Sequence, residues 1–312
     1  MLFRSVIISR STYPHQSPRA NRTHELAKEL AKEHDVTLYV LTGGYDYSDY
    51  TNATGVMVKS LGSPKAFSFD PSIDVKQKFI HKIFFKLFHR YFEYPHIELA
   101  YLTNKALRGE FDIDLLITVA APHPIHWGAA FFRRNNKEKL LKTVWVADCG
   151  DPFMGNPFNK HAFYFKYIER MFCEQADFIT VPTERAINAY YPQFREKIRV
   201  IPQGFDLEGI RIESKTISNT VPTFIFAGTF YKDLRDPTEF LEYLVELSNK
   251  GYDFRFIVYT KSKDFLMPFK AALNDKLVIC DFVARAELLN RLADADRSEE
   301  HTSELQSLRH IS

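Results

Sequence analysis

Cysteine is scarce in this chain. Its 312 residues include three cysteines, an odd number, at Cys149, Cys173 and Cys280. Their wide spacing matches no zinc-binding or redox pattern. A disulfide framework is typical of short secreted chains with paired cysteines. The sequence therefore predicts reduced thiols and argues against a disulfide-stabilised secreted domain.

Long apolar runs and an excess of charge are lacking as well. No stretch reaches the roughly 18 consecutive apolar residues of a membrane-spanning helix, and the apolar run at the N-terminus is too short for a signal peptide. The 41 basic and 39 acidic residues leave a formal net charge of +2, so overall charge does not favour nucleic-acid binding. We expect a globular cytoplasmic protein without a nucleic-acid partner.

Short apolar segments alternate with amphipathic ones through the first two thirds of the chain. Residues 19–34 repeat their apolar positions at the 3.6-residue period of a helix. Short β-branched or aromatic runs predict buried strands. These predicted strands lie at 6–9, 36–41, 115–119, 143–147, 178–181 and 199–201. Strands that alternate with helices indicate a parallel, doubly wound sheet.

A second block repeats this pattern after a polar segment. We predict an N-terminal domain over 1–207, a linker over 208–222 and a further domain over 223–296. The second block has predicted strands at 223–227, 254–259 and 277–280, and predicted helices at 237–250, 265–273 and 285–293. The expected fold class is α/β, with two Rossmann-like doubly wound parallel-sheet domains, the second incomplete.

The end of the chain differs in character from the rest. Residues 297–307, RSEEHTSELQS, resemble the translation of a common sequencing-library adapter. We therefore interpret residues 297–312 as a non-native tail, outside the fold. On this interpretation the native sequence is C-terminally truncated near Asp296.

Several segments together resemble glycosyltransferase family 4, a bacterial family of the GT-B type. They are YPHQSPRANRTHELAKEL near the N-terminus, WVADCGDPF, ADFITVPT at 176–183, KIRVIPQGFDLE at 197–208 and FIFAGTFYKDLRDPTEFLEYL at 224–244. The IPQGFD element is the most specific of these. By itself it also fits an ordinary turn after a strand, with Gly204 supplying permissive backbone dihedrals.

The resemblance implies an enzyme that moves a sugar from a nucleotide diphosphate sugar to an acceptor hydroxyl, with retention at the anomeric carbon. It implies no metal or other cofactor, and a role in cell-surface polysaccharide or glycolipid synthesis with a glycan or lipid-linked acceptor. Family members carry two donor-binding glutamates beyond the position of Asp296, so the chain as given is expected to be inactive. A non-catalytic protein that binds nucleotide sugars or glycans is the alternative. An NAD enzyme is disfavoured because no G-x-G-x-x-G follows the first strand.

Candidate site residues of the first domain follow its strands. Arg19 and Arg22 lie where a helix begins, a place that favours anions, so we predict contacts to phosphate or acceptor. His123 follows the strand at 115–119, and the resemblance implies a contact with the donor sugar. Asp148 and Asp151 follow the strand at 143–147 and are predicted to orient acceptor hydroxyls or to act as a base. Solvated arginines, a surface histidine and turn-forming aspartates are the alternatives.

Donor-binding candidates lie in the second block. Gly228 and Thr229 end its first strand, and Lys232 and Arg235 follow in the next loop. The resemblance implies that a glycine and a basic side chain here meet the donor diphosphate. The planar arginine fork suits phosphate, although a solvated loop is the alternative.

One segment is both basic and rich in aromatic residues. Within residues 76–92, the cations Lys78, Lys82, Lys86 and Arg90 recur at i, i+4 spacing along one helical face. Such a helix fits the surface of an anionic membrane, and we predict peripheral attachment to the inner face of the cell membrane. A helix that packs its apolar side on the sheet is the alternative.

Overall fold

The protein has two compact units, Met1–Gly204 and Phe205–Ser312. The computed structural model describes residues 3–15, 17–69, 81–140, 142–156, 160–204, 219–232, 235–283 and 285–300. Most of the predicted linker over 208–222 lies outside these residues. The predicted fold class is confirmed, because each unit has a parallel sheet with helices between its strands.

Within the described part of the first unit, seven strands form one sheet. In chain order they are β1 (Phe3–Ile8), β2 (His34–Val40), β3 (Met57–Ser60), β4 (Leu115–Ala120), β5 (Val144–Cys149), β6 (Phe178–Val181) and β7 (Ile198–Val200). Their spatial order is β3-β2-β1-β4-β5-β6-β7, and every neighbouring pair is parallel. The order reverses between β1 and β4, which is the switch point of a doubly wound sheet.

Helices cover this sheet. They are α1 (Pro18–Leu30), α2 (Ser48–Thr54), α3 (His81–Phe92), α4 (Glu98–Arg108), α5 (Pro124–Asn135), α6 (Phe165–Gln175) and α7 (Glu184–Ile187). Short 3₁₀ turns span Lys137–Leu140 and Pro192–Lys197. Helix α1 ends before the predicted residue 34, because His34 already pairs with Phe3 in the sheet.

Both faces of the first sheet are buried. Along β1, Val6 and Ile8 pack in one apolar cluster with residues of α4, α5 and α6, whereas Ile7 packs in another with residues of α1 and α2. Strand side chains alternate between the two faces of a sheet. This explains why the strands read as nearly continuous apolar runs.

The second unit has its own sheet. Its strands are β8 (Thr223–Ala227), β9 (Arg255–Tyr259), β10 (Leu277–Cys280) and β11 (Arg297–Glu300), in the spatial order β10-β9-β8-β11. Its helices are α8 (Thr238–Asn249), α9 (Met267–Leu273) and α10 (Arg285–Ala293), with 3₁₀ turns at Lys263–Phe265 and Asn274–Lys276. Alternate residues again enter opposite clusters: Phe226 lies in one, and Ile225 and Ala227 lie in the other.

Two strands were absent from the sequence prediction. Strand β3 lies at an edge and is only partly buried, with Met57 half exposed. Strand β11 begins at Arg297, where the sequence placed a tail outside the fold, and it pairs in parallel with β8. The Asp296 carboxylate accepts from the Thr223 backbone N–H at 2.8 Å, and the Asp296 N–H donates to the Thr223 carbonyl at 3.0 Å. Arg297 and Ser298 are exposed, so backbone pairing rather than apolar burial defines this strand.

Candidate functional site

Arg19 lies in the first turn of α1, directly after the loop that follows β1. Ser17 caps the helix, because its side chain accepts from the Ala20 N–H at 3.2 Å, and Pro18 fits the first helical position. The Thr23 hydroxyl donates to the Arg19 carbonyl at 2.8 Å. The backbone that carries Arg19 is therefore held in place at the carboxyl end of β1.

The Arg19 guanidinium lies over Gly150, just past the end of β5. A Cβ atom at residue 150 would fall 1.6 Å from the guanidinium carbon, so any larger residue there would displace Arg19. Arg19 Nη2 donates to Asp151 Oδ2 at 3.0 Å. Its Nη1 is buried and has no hydrogen-bond partner among the residues that the structure describes. This donor of the guanidinium is therefore left unsatisfied by the described residues.

His123 precedes α5 at the carboxyl end of β4. Its side chain is almost fully buried, and its Nε2 has no hydrogen-bond partner within the described part of the chain. Burial holds the pKa of His123 well below its usual value; His126, His161 and the nearby Arg19 charge act in the same direction. The imidazole is therefore neutral at pH 7, and its Nε2 is buried without a hydrogen bond to the described residues.

His126, one turn further along α5, is in a different situation. Its Nδ1 lies 2.7 Å from the Thr118 hydroxyl and its Nε2 lies 3.3 Å from Cys149 Sγ. The Thr118 oxygen also accepts from Trp145 Nε1 at 2.9 Å. Complete burial lowers the pKa of His126 to about 3. Both ring nitrogens of His126 have partners inside the core, whereas His123 Nε2 has none among the described residues.

Arg22 and Asp148 bind each other. Arg22 Nε and Nη2 donate to the two carboxylate oxygens of Asp148, both at 2.6 Å, and the Thr180 hydroxyl donates to the same carboxylate at 2.6 Å. Burial alone would lower the pKa of Arg22, but the hydrogen bonds and charge of Asp148 outweigh it and raise that pKa. Both side chains are nearly inaccessible. The pair joins α1 to β5 and, through Thr180, to β6. The charged groups of Arg22 and Asp148 therefore bind each other inside the protein.

The IPQG segment after β7 also contacts α1. Gln203 is buried, and its Nε2 donates to the Pro18 carbonyl at 3.1 Å. Arg22 makes longer contacts of 3.4 and 3.5 Å with the carbonyls of Ile201 and Pro202. Gly204 does not use the permissive dihedrals expected of it, since its φ is not positive and a Cβ there would meet nothing within 4 Å. The motif therefore positions the start of α1 through Gln203, a role that residue type alone did not reveal.

The structure thus sorts the predicted residues of the first unit into two groups. Arg19, His123 and Asp151 converge where β1, β4 and β5 end, and Asp151 is largely exposed. Arg22 and Asp148 form the buried pair beneath them. One cation, one neutral imidazole and one exposed carboxylate make a polar surface that can bind hydroxyls and an anionic group.

The donor-binding candidates share one strand end in the second unit. Gly228 and Thr229 follow β8, and the Gly228 N–H donates to the Tyr259 carbonyl at 3.0 Å. Arg235 pairs with Tyr231 through backbone hydrogen bonds of 2.9 and 3.3 Å. Lys232 and Arg235 therefore both belong to the segment between β8 and α8.

Helix α3 contains the predicted membrane residues only in part. Lys78 lies outside the described residues, and the side chains of Lys82 and Lys86 are not described, whereas Arg90 is exposed. The apolar side chains Leu87, Phe88, Tyr91 and Phe92 are exposed as well. Among the residues that the structure describes, no helix combines the length and hydropathy that a membrane crossing needs.

Comparisons with known proteins agree with this architecture. The model of Glycosyltransferase Family 4 matches residues 20–208. Among curated proteins, none matches the chain. The Anabaena protein HepE, solved with UDP and glucose, has a TM-score of 0.58 at 10% identity over 95% of this chain and 73% of its own. The catalytic domain of Starch Synthase IV from Arabidopsis thaliana, bound to ADP and acarbose, has a TM-score of 0.59 at 10% identity. The match covers 95% of this chain and 77% of that one.

A third solved structure of similar fold is S. aureus MnaA with UDP. Its TM-score is 0.55 at 10% identity, over 98% of this chain and 75% of that one. Identities this low show likeness of fold alone. The GT-B fold class that the sequence resemblance implied is confirmed by these neighbours together with the family match.

Proposed function

The chain belongs to Glycosyltransferase Family 4, and we propose that it is a retaining glycosyltransferase, which moves a sugar from a nucleotide diphosphate sugar to an acceptor hydroxyl. The observation that carries this proposal is the pair of buried nitrogens without partners in the described residues, Arg19 Nη1 and His123 Nε2. They lie at neighbouring strand ends of a doubly wound sheet, where such folds bind ligands. A buried polar nitrogen without a hydrogen-bond partner is unfavourable for stability, unless a ligand supplies that partner.

Each group has a distinct role in this proposal. Arg19 binds an anionic oxygen through the donor that Asp151 leaves available. His123, as a neutral imidazole, binds a sugar hydroxyl, and Asp151 orients the acceptor hydroxyl or accepts its proton. Arg22 and Asp148 do not contact the substrates in this proposal. Their ion pair fixes the position of α1 and therefore of Arg19.

Lys232 and Arg235 bind the donor diphosphate in this proposal, near the backbone of Gly228 and Thr229. Arginine and lysine donors form charge-assisted bonds to phosphate and offset the charge of a departing diphosphate. We propose that transfer needs no metal or other cofactor, since positioning and these cations stabilise the leaving group.

Helix α3 supports a peripheral location on the cytoplasmic face of the membrane. Its exposed apolar side chains Leu87 and Phe92 accompany the exposed cation Arg90. A helix of this kind lies in the interface of an anionic membrane, with its cations near the lipid headgroups. A lipid-linked acceptor in cell-surface polysaccharide or glycolipid synthesis fits such a location.

Calorimetric titration with UDP, ADP, GDP and their sugars, together with an assay for release of the nucleoside diphosphate, tests the function. We expect binding of one of these nucleotides, weakened in Arg19→Ala, and binding of its sugar conjugate, weakened in His123→Ala, whereas Arg134→Ala, a change of an exposed arginine of α5, retains both. Binding with glycosyl transfer would establish the enzyme. Binding without turnover would match the inactivity predicted from the sequence and keep the non-catalytic alternative. Absence of nucleotide binding would contradict the proposal.

A further inference from the structure

Three potential metal ligands meet where α3 gives way to α4. His89 lies in the last turn of α3, Glu93 follows that helix, and His96 precedes α4. One ligand atom from each residue lies within 4.8 Å of the other two. These residues take no part in the transfer chemistry proposed above.

One carboxylate oxygen in this group is buried without a hydrogen bond to the described residues. Glu93 is 4% exposed, and its Oε2 has no hydrogen-bond partner in the described part of the chain. The Nδ1 atoms of His89 and His161 lie 3.3 and 3.5 Å from that oxygen. His161 Nδ1 is also buried and without a hydrogen-bond partner among the described residues. Two buried polar atoms, Glu93 Oε2 and His161 Nδ1, thus lie 3.5 Å apart, and neither has a hydrogen bond to a described residue.

The spacing of the three residues is close to that of metal ligands. Ligands at about 2.0–2.2 Å from a tetrahedral zinc ion lie about 3.3–3.6 Å from one another. The contact of His89 Nδ1 with Glu93 Oε2, at 3.3 Å, falls in this range, and a ligand atom of His96 lies within 4.8 Å of both residues. Two imidazoles with one carboxylate form a set that suits zinc, whereas Mg²⁺ and Ca²⁺ prefer oxygen ligands.

The backbone is arranged to bring these side chains together. Glu93 has a φ of 52°, in the left-handed region that residues other than glycine rarely adopt. Its N–H donates to the His89 carbonyl and its carbonyl accepts from Ile97, both at 2.9 Å. The Ala162 N–H donates to the Arg90 carbonyl at 3.0 Å, which brings the neighbouring His161 against the end of α3. A strained residue at the centre of such a group is typical of a functional site.

We propose that His89, Glu93 and His96 bind a Zn²⁺ ion, while His161 contacts the Glu93 carboxylate beside the site. The ion would join the end of α3 to the start of α4. By fixing Glu93 it would also fix His161, whose ring stacks on Phe153 at 3.9 Å, and Phe153 lies 4.9 Å from the His123 ring. The role of the ion is structural, and it does not depend on the proposed transferase activity.

The test uses the full chain after removal of metals with a chelator. We expect titration with ZnCl₂ to show one tightly bound ion per chain and to raise the melting temperature, whereas MgCl₂ has neither effect. Glu93→Gln preserves the shape of the side chain but removes its charge, and it should abolish both the tight binding and the thermal shift. His96→Ala should do the same, and His161→Ala should weaken binding.

The matched control is His34→Ala, because His34 contacts Ser5 and Phe3 at the start of β2. This variant should bind zinc as the parent protein does. If a cluster variant fails to fold, the Co²⁺-loaded parent protein supplies the second measurement, since tetrahedral cobalt gives a distinct visible spectrum. The proposal is overturned if the parent protein binds no stoichiometric zinc, if Glu93→Gln binds it equally well, or if bound cobalt is not tetrahedral.

Discussion

Arg22 of helix α1 and Asp148 of strand β5 are joined by two hydrogen bonds of 2.6 Å in a nearly inaccessible part of the first unit. A bidentate pair fixes the orientation of both side chains. Since Arg19 lies one turn before Arg22 on α1, this pair determines where the Arg19 guanidinium can reach. The pair therefore links the stability of the unit to the geometry of the candidate site.

Removal of one partner should destabilise the protein strongly. In Asp148→Asn the Arg22 charge stays buried without its counter-ion, so we expect a loss of about 3–5 kcal/mol in the free energy of unfolding, measured by urea denaturation. The double variant Arg22→Met with Asp148→Asn should recover part of that loss. Glu29→Gln is the control, because it removes an exposed ion pair with Lys32 and should change stability by less than about 1 kcal/mol. Equal effects of Asp148→Asn and Glu29→Gln would contradict the structural role of the pair.

Gly150→Ala tests the position of Arg19. The added methyl group would occupy the space of the Arg19 guanidinium, which must then move away from its place beside Asp151. A lost charge-assisted bond of about 1.5–3 kcal/mol predicts affinity for a nucleoside diphosphate reduced by about ten- to hundredfold in calorimetry. Global stability should hardly change, because the displaced atoms are the end of a flexible side chain. Unchanged affinity would remove Arg19 from the proposed site. Gly109→Ala, whose Cβ would lie 3.6 Å from its nearest neighbour, is the matched control.

Arg235→Ala should weaken donor binding. Its guanidinium is the proposed diphosphate contact in the second unit, so its removal should lower donor affinity by about ten- to hundredfold. Arg255→Ala changes an exposed arginine at the amino end of β9 and should leave the affinity unaltered. Calorimetry with the preferred nucleotide sugar measures both. The assignment fails if the two variants bind alike.

The membrane surface is tested by sedimentation with anionic liposomes. Each basic residue near such a surface contributes about 1 kcal/mol, so reversal of Lys78, Lys82, Lys86 and Arg90 to Glu should release the protein into the supernatant. The control reverses Lys105, Arg134, Lys137 and Lys142, which are exposed elsewhere in the first unit, and thus changes net charge equally. Attachment through α3 would be contradicted if both variants sedimented to the same extent, or if the parent protein did not sediment with the liposomes.

Buried His126 should make stability depend on pH. The unfolded chain takes up a proton at this residue below about pH 6.5, whereas the folded protein keeps it neutral down to about pH 3. Stability is therefore lost as the pH falls below about 6.5, by about 1.4 kcal/mol per pH unit for this residue. In His126→Asn the decline between pH 6 and pH 5 should be smaller by that amount. Urea denaturation at both pH values measures it, and identical slopes would refute this account.

The sequence alone predicted most of the fold because buried parallel strands leave a strong apolar signal. The six strands predicted for the first unit correspond to β1, β2 and β4–β7, and the three predicted for the second correspond to β8–β10. It missed β3 and β11, which lie at sheet edges and include exposed residues such as Met57 and Arg297. An apolar pattern reports burial, and it cannot report backbone pairing by polar residues.

The sequence predicted which strands the candidate site residues follow. It did not predict which contact each of these residues makes. Local composition was enough to place Arg19, His123 and Asp151 after predicted parallel strands. The pairing of Arg22 with Asp148 and the contact of His161 with Glu93 became evident only in the folded chain. Those contacts join residues far apart in the chain. Their geometry depends on how helices pack on the sheet, and the local sequence does not encode that packing.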